Sequence, residues 1–443
     1  MAEETGAVEG LPLVGSTAGL TPLQRIRAIL GGSAGNLVEW YDWFAYTGFS
    51  IYFASAFFPE GDNTAQLLKA ALLNVVSFGA RPIGAWAMGH FADKMGRRTA
   101  LIVAVLMMCV GALIIACAPT YAQVGALAPW VLVGARLLQG LSVGGQYGAA
   151  ATYMSEMANR RRRGFWSSFQ YVTLIMGQLL ALLVLIVLQR TMPEADLKAW
   201  GWRIPFFIGA AMAVVVFWIR SRMDESTSYE NAKASGAERA RTMMLFLRYP
   251  KQTLTIFGFT AGGSLGFYAF TTYMPKFLTG TSGFNGPTAT AITAAALVVY
   301  LFALPFFGWL SDHWGRKGTL FVAFGGGALA TYPALSAIAG TQSPFVAFAL
   351  VSLLVVLLSG YNSVSAVVKA ELFPANVRAL GVALPYGMGT AIFGGTAEPI
   401  ALAFKRAGIE SGFYVYVAVA MAIAFLIVFL LPDNRKHSLI LED

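Results

Sequence analysis

The chain of 443 residues is 57% hydrophobic and only 12% charged, and its mean hydropathy is +0.63. Soluble domains carry about 25% charged residues, so this composition excludes an ordinary soluble globule. The apolar runs are long and continuous, which excludes an outer-membrane barrel built from short alternating segments. The composition therefore predicts an all-α polytopic membrane protein.

The formal net charge of +9 could point to a nucleic-acid partner, but the positions of the cations argue against one. Lysines and arginines lie in short loops between apolar runs, and they fall on one side if the runs alternate in direction. By the positive-inside rule that side is cytoplasmic. We therefore expect both termini in the cytoplasm, a lipid bilayer as partner and no nucleic acid.

Apolar runs of about 20 residues predict twelve membrane-spanning helices, which we number as spans one to twelve. A polar stretch between the sixth and seventh runs predicts two six-helix bundles, 26–221 and 251–432. The rest is a cytoplasmic N-terminal segment 1–25, a linker 222–250 and a tail 433–443. The predicted spans are 26–57, 67–91, 98–119, 125–155, 164–190, 203–221, 251–279, 288–311, 318–340, 344–372, 377–406 and 411–432.

A decapeptide repeat links the two halves. GHFADKMGRR at 89–98 returns half a chain later as GWLSDHWGRK at 308–317. Each copy ends an apolar run, places one aspartate just past it and turns through a glycine into paired cations. Two copies at equivalent points of two apolar halves indicate an internal repeat.

Span one carries ionisable residues on one helix face. Glu39, Asp42 and Tyr46 are spaced three and four residues apart, so their side chains point the same way. Carboxylates inside an apolar span are costly unless they are paired, protonated or face a watery cavity. Asp42 is the first candidate for proton binding, whereas a structural ion pair explains Glu39 equally well.

Spans two and four each place an arginine near the middle, Arg81 directly before Pro82 and Arg136 in span four. A mid-membrane arginine costs about 2.5 to 3.5 kcal/mol on insertion scales, so a counter-charge or an anionic ligand is implied. The planar guanidinium suits carboxylates. The alternative, an ion pair with Asp42 or Glu39 that only fixes packing, stays open.

Other polar residues in apolar surroundings are candidate substrate ligands. Each is also consistent with a hydrogen bond between helices. Span seven is in addition interrupted by glycines and by Pro275, which is typical of helices that bend or expose backbone groups. These further candidates are Tyr46, Gln170, Tyr171, Tyr268, Tyr361 and Asn362.

The decapeptide pattern resembles the loops after the second and eighth helices of the major facilitator superfamily. NLVEWYDW, RPIGAWAMGHFADKMGRR, ARLLQGLSVGGQYG, WGWRIPF and ELFPANVRALG together resemble its metabolite:proton symporter family over almost the whole chain. The resemblance implies the major facilitator fold, alternating access and a substrate site between the halves. It also implies a cytoplasmic latch, for which the candidates are Gly89, Asp93, Gly96, Arg97, Arg98, Asp312, Arg316, Glu156, Arg163, Glu371 and Arg378.

Within that family, SSFQYVTLIMGQLLALLV, GFTAGGSLGFYAFTTYM and AIFGGTAEPIALAF resemble 2-oxoglutarate transporters. The resemblance implies proton-coupled import of 2-oxoglutarate across a bacterial inner membrane, with Arg81 and Arg136 as carboxylate anchors. Relatives in the family carry citrate, shikimate, proline or betaine, so these substrates are the alternative. We expect no cofactor, no metal and a monomer.

One position departs from the family pattern. Where relatives usually read GGEY, this chain has Gly-Gly-Gln-Tyr at 144–147. Gln146 cannot take up or release a proton, whereas a glutamate there could. The role of this position in proton coupling is therefore open.

Two other classes of protein fit less well. A membrane-embedded enzyme would need a nucleophile, a metal cluster or a nucleotide loop, and the three histidines are scattered near loops. A receptor would normally carry an added soluble signalling domain, for which the linker is too short. The sequence therefore favours a transporter over both.

Overall fold

The computed structural model describes residues 22–95, 97–144, 162–221, 247–373 and 378–431. Within these ranges the regular structure is entirely helical, and no strand is formed. The prediction of an all-α protein is confirmed.

Spans one to six are helices, and the described connections from span one to span four are short, so those helices run in alternating directions. A short helix at Glu194–Ala199 and a single 3-10 turn at Gly201–Arg203 precede span six. The helices of spans one to six are Pro22–Phe57, Asn63–Met95, Arg97–Cys117, Leu127–Val143, Arg163–Thr191 and Ile204–Ser221.

Spans seven to twelve differ from the first half in that three of them are interrupted. Span seven consists of the helix Pro250–Phe267, a π-helical turn Tyr268–Thr272 and the helix Met274–Gly280. Span ten consists of the helices Pro344–Asn362 and Ser365–Glu371. Span eleven consists of the helix Arg378–Gly389, a π-helical turn Thr390–Gly394 and the helix Ala397–Arg406. The continuous spans eight, nine and twelve are Gly286–Trp314, Arg316–Gly340 and Ser411–Leu430.

The interruption of span seven lies directly before Pro275 and not at the glycines of that span. Proline has no N–H to donate, and its ring collides with the carbonyl one turn earlier, so the helix widens into a π turn there. The glycines have a different function, which is close helix packing. A Cβ on Gly262 would lie 2.7 Å from the backbone oxygen of Ala420, a separation that only glycine tolerates.

The outer surface of the bundle is apolar. Six of the described helices are long and apolar enough to cross a membrane. Large hydrophobic side chains such as Phe302, Leu329 and Leu430 are exposed on the outside of the molecule. Surfaces of this kind are stable against lipid tails, so the protein is a polytopic membrane protein.

Spans five and eight cross in close contact and join the two halves. A Cβ on Gly164 would lie 2.7 Å from the oxygen of Gly308, and a Cβ on Gly308 would lie 2.7 Å from the oxygen of Gly164. We call the end of the bundle that carries this crossing the motif end. The opposite end, which carries Phe57, Thr191 and Gly280, is the far end.

Replacing Gly164 by Ala should destabilise the protein, because the added methyl group forces the two backbones apart at a cost of about 1 to 3 kcal/mol. The matched control is Gly134→Ala in span four, where no described atom lies within 4 Å of the new Cβ. That control should be neutral or gain up to about 1 kcal/mol of helix propensity. Thermal unfolding in detergent measures both, and equal shifts in the two variants would contradict the crossing.

Candidate functional site

A chain of hydrogen bonds between buried polar side chains lies inside the first half. Arg136 donates from Nη1 to Oε1 of Gln139 at 2.7 Å and from Nη2 to Oδ1 of Asn74 at 2.6 Å. The amide of Gln139 donates in turn to the carboxylate of Asp42. Each of these four residues is at most 4% exposed. The hydrogen bonds therefore form in a medium of low dielectric constant. An amide therefore stands between the two charges, and the direct partners of the guanidinium are neutral.

Tyr46 completes the surroundings of Arg136. The guanidinium carbon lies 4.2 Å from the centroid of the Tyr46 ring, within the range of a cation–π contact. The Tyr46 hydroxyl donates to the backbone oxygen of Ala70 at 3.2 Å. The structure thus brings three predicted residues, Asp42, Tyr46 and Arg136, into one cluster from spans one and four.

Arg81 lies where the two halves meet. Its guanidinium carbon is 3.9 Å from the ring centroid of Phe78 and 5.4 Å from that of Trp40, and it lies beside the hydroxyl of Tyr268 in the second half. Arg81 and Glu39 both line a void of about 40 Å³. Such a void has room for water but not for a metabolite. Arg81 therefore faces a closed part of the interface between the halves.

Two of the predicted ligands lie on span five. Gln170 is 5% exposed, and its backbone oxygen accepts a hydrogen bond from Asn36 at 3.5 Å. The Tyr171 ring meets Phe267 of span seven edge to face, with 6.0 Å between centroids. Tyr171 therefore contacts the opposite half, whereas the described hydrogen bonds at Gln170, from Asn36 and from Thr173, both reach its backbone oxygen.

Two further predicted ligands lie within the second half. Tyr361 packs on Phe324, with 5.1 Å between ring centroids, and Asn362 donates to the hydroxyl of Tyr300. Lys369, in the next short helix of span ten, is fully buried, and its Nζ lies 5.6 Å from the centroid of the Tyr361 ring. These groups form a second polar cluster, separate from the one around Arg136.

The aspartate of the second decapeptide joins the two halves at the motif end. Oδ1 of Asp312 accepts from the backbone N–H of Gly164 at 2.8 Å, and Oδ2 accepts from that of Phe165 at 2.9 Å. Both N–H groups belong to the first turn of span five, where unpaired donors and the helix dipole favour an anion. This contact is a physical latch between spans five and eight.

Arg316 reinforces the latch. Its Nη1 donates to Oδ1 of Asp312 at 2.7 Å, and its Nε lies 3.8 Å from Oε1 of Glu371. Arg163, the first residue of span five, is 3% exposed at the same end. The other predicted gating residues and the predicted proton site Gln146 lie outside the residues whose side chains are described; they are Gly89, Asp93, Gly96, Arg97, Arg98, Glu156 and Arg378.

A cavity of about 630 Å³ lies at the far end between the two halves, and we call it the vestibule. Spans one, two and five line it on one side, and spans seven, eight and eleven on the other. Its polar lining includes Tyr52, Gln189, Tyr273, Lys276 and Lys405. A cavity of this size accommodates a small metabolite.

Two further buried cations, Lys276 and Lys369, are not among the site residues predicted from the sequence. Lys276 donates to Oε1 of Glu398 in span eleven, and the two side chains are 6% and 9% exposed. Lys369 donates to the Ser365 hydroxyl at 2.6 Å. The signal was present in the sequence, because an ionisable residue inside an apolar span indicates a functional site in the same way that Arg81 and Arg136 do.

Two helical halves, a latch at one end, a vestibule at the other and buried charges between them define a membrane transporter of the alternating-access type. Comparison with known families agrees. Residues 28–252 match the model for the family described as sugar (and other) transporter, and residues 278–441 match that of the major facilitator superfamily. The chain belongs to the major facilitator superfamily, and it is a transporter and not an enzyme.

Several transporters are similar in sequence to this chain over most of its length. The alpha-ketoglutarate permease of Escherichia coli is 50% identical over 93% of this chain and 95% of its own length. The citrate-proton symporter of Klebsiella pneumoniae is 31% identical over 86% of this chain and 85% of its own. The proline/betaine transporter of Escherichia coli is 29% identical over 83% and 75%.

Solved structures show the same fold. The xylose transporter XylE from Escherichia coli, in a partially occluded inward-open conformation, superposes with a TM-score of 0.76 at 18% identity over 92% of this chain and 98% of that one. At so low an identity the likeness speaks for the fold alone. The predicted major facilitator fold, with twelve helices in two bundles, is confirmed.

Replacing Asp312 by Asn should loosen the motif end, because the charge that binds two N–H groups and Arg316 is lost. Hydrogen bonds to charged groups contribute about 1.5 to 3 kcal/mol, so the open population should grow about tenfold or more. Spin labels at Arg162→Cys and His313→Cys, both exposed, report the separation of the two helices in a cysteine-free background. A longer component should appear in the distance distribution.

Asp196→Asn serves as the control for that measurement, because Asp196 is exposed at the far end. Its distance distribution should match that of the unmodified chain. An unchanged distribution in Asp312→Asn would show that the carboxylate does not hold the latch.

Proposed function

We propose that this protein imports 2-oxoglutarate together with protons across the inner membrane of a bacterium. The support is the 50% identity to the alpha-ketoglutarate permease and the chemistry of the buried cluster. The observation that carries the proposal is Arg136, which is 1% exposed and whose described hydrogen-bond acceptors, Gln139 and Asn74, are both neutral. A charge in that setting favours an anionic ligand.

Carboxylates fit this site better than other anions of similar size. A guanidinium offers two parallel N–H groups that match the two oxygens of a carboxylate. Amide acceptors such as Gln139 and Asn74 give way to a carboxylate without leaving a buried charge behind. Arg81, from span two, provides the second cation for a dianion. Citrate is the second candidate substrate, since the 31% identical relative is a citrate-proton symporter.

We assign the motif end to the cytoplasm, because the lysine- and arginine-rich loops of the sequence fall on that side. Both termini and the linker 222–250 then lie in the cytoplasm, and the vestibule opens to the periplasm. In this orientation Asp312 holds the cytoplasmic end shut while substrate enters from outside. Asp93 of the first decapeptide has the same function in the other half, and the protein works as a monomer in the lipid bilayer.

The number of protons follows from charge. A dianion that enters with one proton carries one negative charge inward, and an inside-negative potential opposes this by about 2.3 kcal/mol per 100 mV. Two protons make the cycle electroneutral. Asp42 is the first proton carrier, because it is buried and reaches Arg136 through Gln139. Binding of substrate at Arg136 changes the surroundings of that carboxylate directly, and Glu39 lies one turn away on the same helix.

Liposomes that contain only this protein should accumulate labelled 2-oxoglutarate when the outside is acidic, and excess unlabelled 2-oxoglutarate should compete better than citrate, shikimate, proline or betaine.

Arg136→Gln should weaken binding about tenfold or more, since it removes a charged hydrogen-bond donor. Arg190→Gln, at an exposed position of span five, is the control and should bind normally. Equal affinity in the two variants would overturn the anchor assignment, and absence of any carboxylate uptake would overturn the proposed function.

Replacing Asp42 by Asn should abolish accumulation driven by a pH difference but leave exchange of labelled for unlabelled substrate. Gln146→Glu should strengthen accumulation, because a glutamate at this position can protonate when it is shielded from water and release the proton when exposed. Both effects are measured as the ratio of internal to external substrate at several external pH values. If Gln146→Glu leaves that ratio and its pH dependence unchanged, position 146 has a packing role.

A further inference from the structure

The vestibule carries cations of its own, apart from the two central arginines. Its lining includes Lys198, Lys276 and Lys405 but neither Arg81 nor Arg136. Glu194 also lines the vestibule. Its Oε1 lies 2.7 Å from Nζ of Lys198, one helical turn later in the same helix, and both side chains are exposed. The other cations of the described lining are Lys276 and Lys405, which lie on the side of the second half.

Lys276 belongs to the last helix of span seven, and Lys405 of span eleven reaches the end of that helix. A Cβ added to Gly280 would lie 2.6 Å from Nζ of Lys405. The same Nζ donates to the Thr281 hydroxyl at 3.0 Å. Lys276 precedes Gly280 by one helical turn, about 6 Å along the axis. Lys276 and the ammonium group of Lys405 therefore lie about one turn apart along this helix, a spacing comparable to the length of a short dicarboxylate.

Lys276 is already paired with a carboxylate. It donates to Oε1 of Glu398, and both side chains are nearly buried. Lys276 follows the π turn Tyr268–Thr272 of span seven, and Glu398 follows the π turn Thr390–Gly394 of span eleven. The pair thus joins the far-end pieces of two interrupted helices, and its cation borders the vestibule.

Titratable and charged groups surround this pair on several neighbouring helices. Span seven contributes Tyr273, and span one contributes Tyr46, both of which sense the charge of Glu398. The start of span twelve contributes Tyr414 and the carboxylate of Glu410, which accepts from the Thr281 hydroxyl at 2.5 Å. On span two the charged residue nearest the far end is Lys69, which lies 3.9 Å from Glu60 at the surface. Lys276 is therefore the cation in direct contact with Glu398.

We propose that Lys276 is a second carboxylate-binding site, at which a carboxylate of the substrate displaces Glu398 and Glu398 then takes up a proton. This inference rests on the proposed function, since the ligand is the same short dicarboxylate. Lys405 holds the second carboxylate. The site lies on the path from the far end toward Arg136.

Charge balances in this exchange. Lys276 keeps one anionic partner, because the substrate carboxylate replaces that of Glu398. The released carboxylate is nearly buried and has lost its cation, a state that strongly favours the neutral acid. A proton from water in the vestibule binds to one of its oxygens, and no other bond changes. With the proton on Asp42, this gives the two protons that an electroneutral dianion cycle needs and that Gln146 cannot provide.

A structural clamp between spans seven and eleven would also bury an ion pair at this place. The two roles differ in the number of protons taken up when substrate binds. In the clamp, Lys276 and Glu398 stay together, so substrate binding leaves the protonation of Glu398 unchanged. In the exchange, binding of one dicarboxylate takes up one proton at Glu398.

The test is isothermal titration of the purified full-length protein with 2-oxoglutarate at neutral pH, in two buffers of different ionisation enthalpy. The difference in heat gives the number of protons taken up per bound substrate. The variants are Lys276→Gln, Glu398→Gln and the double variant of both, which keeps a neutral pair if a single variant fails to fold. Glu194→Gln with Lys198→Gln is the matched control, an exposed pair in the same vestibule.

We expect Glu398→Gln to bind substrate but to take up about one proton fewer than the unmodified protein. Lys276→Gln should bind about tenfold or more weakly, as loss of a charged hydrogen bond predicts. The double variant should show both effects, and the control should show neither.

Unchanged proton uptake in both Glu398→Gln and the double variant would overturn the exchange and leave a structural clamp, with the proposed function intact. Unchanged affinity in Lys276→Gln and the double variant would overturn the carboxylate site. If the unmodified, folded protein binds neither 2-oxoglutarate nor citrate, the proposed function and this inference fail together.

Discussion

The rest of this structure depends on the cost of placing charge inside an apolar helical bundle. An ion without a partner in such a medium is unstable by several kcal/mol, so each buried charge requires a specific neighbour. Asp312 has the first turn of span five, Arg136 has two amides and a tyrosine ring, and Lys276 has Glu398. Each of these contacts joins a different pair of helices. The buried charges therefore also determine which helices are held together.

These partners differ in what happens when a ligand or a motion removes them. The N–H groups at the start of span five would lose an anion if the latch opened, and water entering from that end could replace it. The amides around Arg136 are neutral, so a carboxylate can displace them without creating a new buried charge. Glu398 is charged, so displacing it from Lys276 leaves a carboxylate that must be neutralised. The kind of partner thus determines whether a buried cation only binds an anion or also couples binding to a proton.

The sequence predicted the parts that depend on composition and on repetition along one chain. Long apolar runs indicated the helices, and the repeated decapeptide singled out Asp312, which the structure shows bound to the backbone N–H groups of Gly164 and Phe165. The partner itself, the first turn of span five, depends on which helices meet, and no local pattern contains that information. The bridging function of Gln139 is another tertiary fact, since helical periodicity gives the face of a residue but not the side chain opposite.

The interruption of span seven shows a second limit of prediction from the sequence. Glycines and Pro275 both indicated a break, but only packing separates their effects: the glycines allow close contact, while the proline opens the π turn next to it. Lys276 follows that proline by one residue, near a predicted span end, where lysines usually reach water. Its partner Glu398, on a helix distant in sequence, is what keeps it buried.

Tyr46 provides a physical connection between the two anion sites. Its ring lies 4.2 Å from the guanidinium carbon of Arg136, and its hydroxyl senses the charges of both Arg136 and Glu398. The hydroxyl is held by the backbone oxygen of Ala70 in span two, so the ring cannot turn away without breaking that bond. A proton on Glu398 therefore removes a negative charge near the hydroxyl of a fully buried side chain that also contacts Arg136.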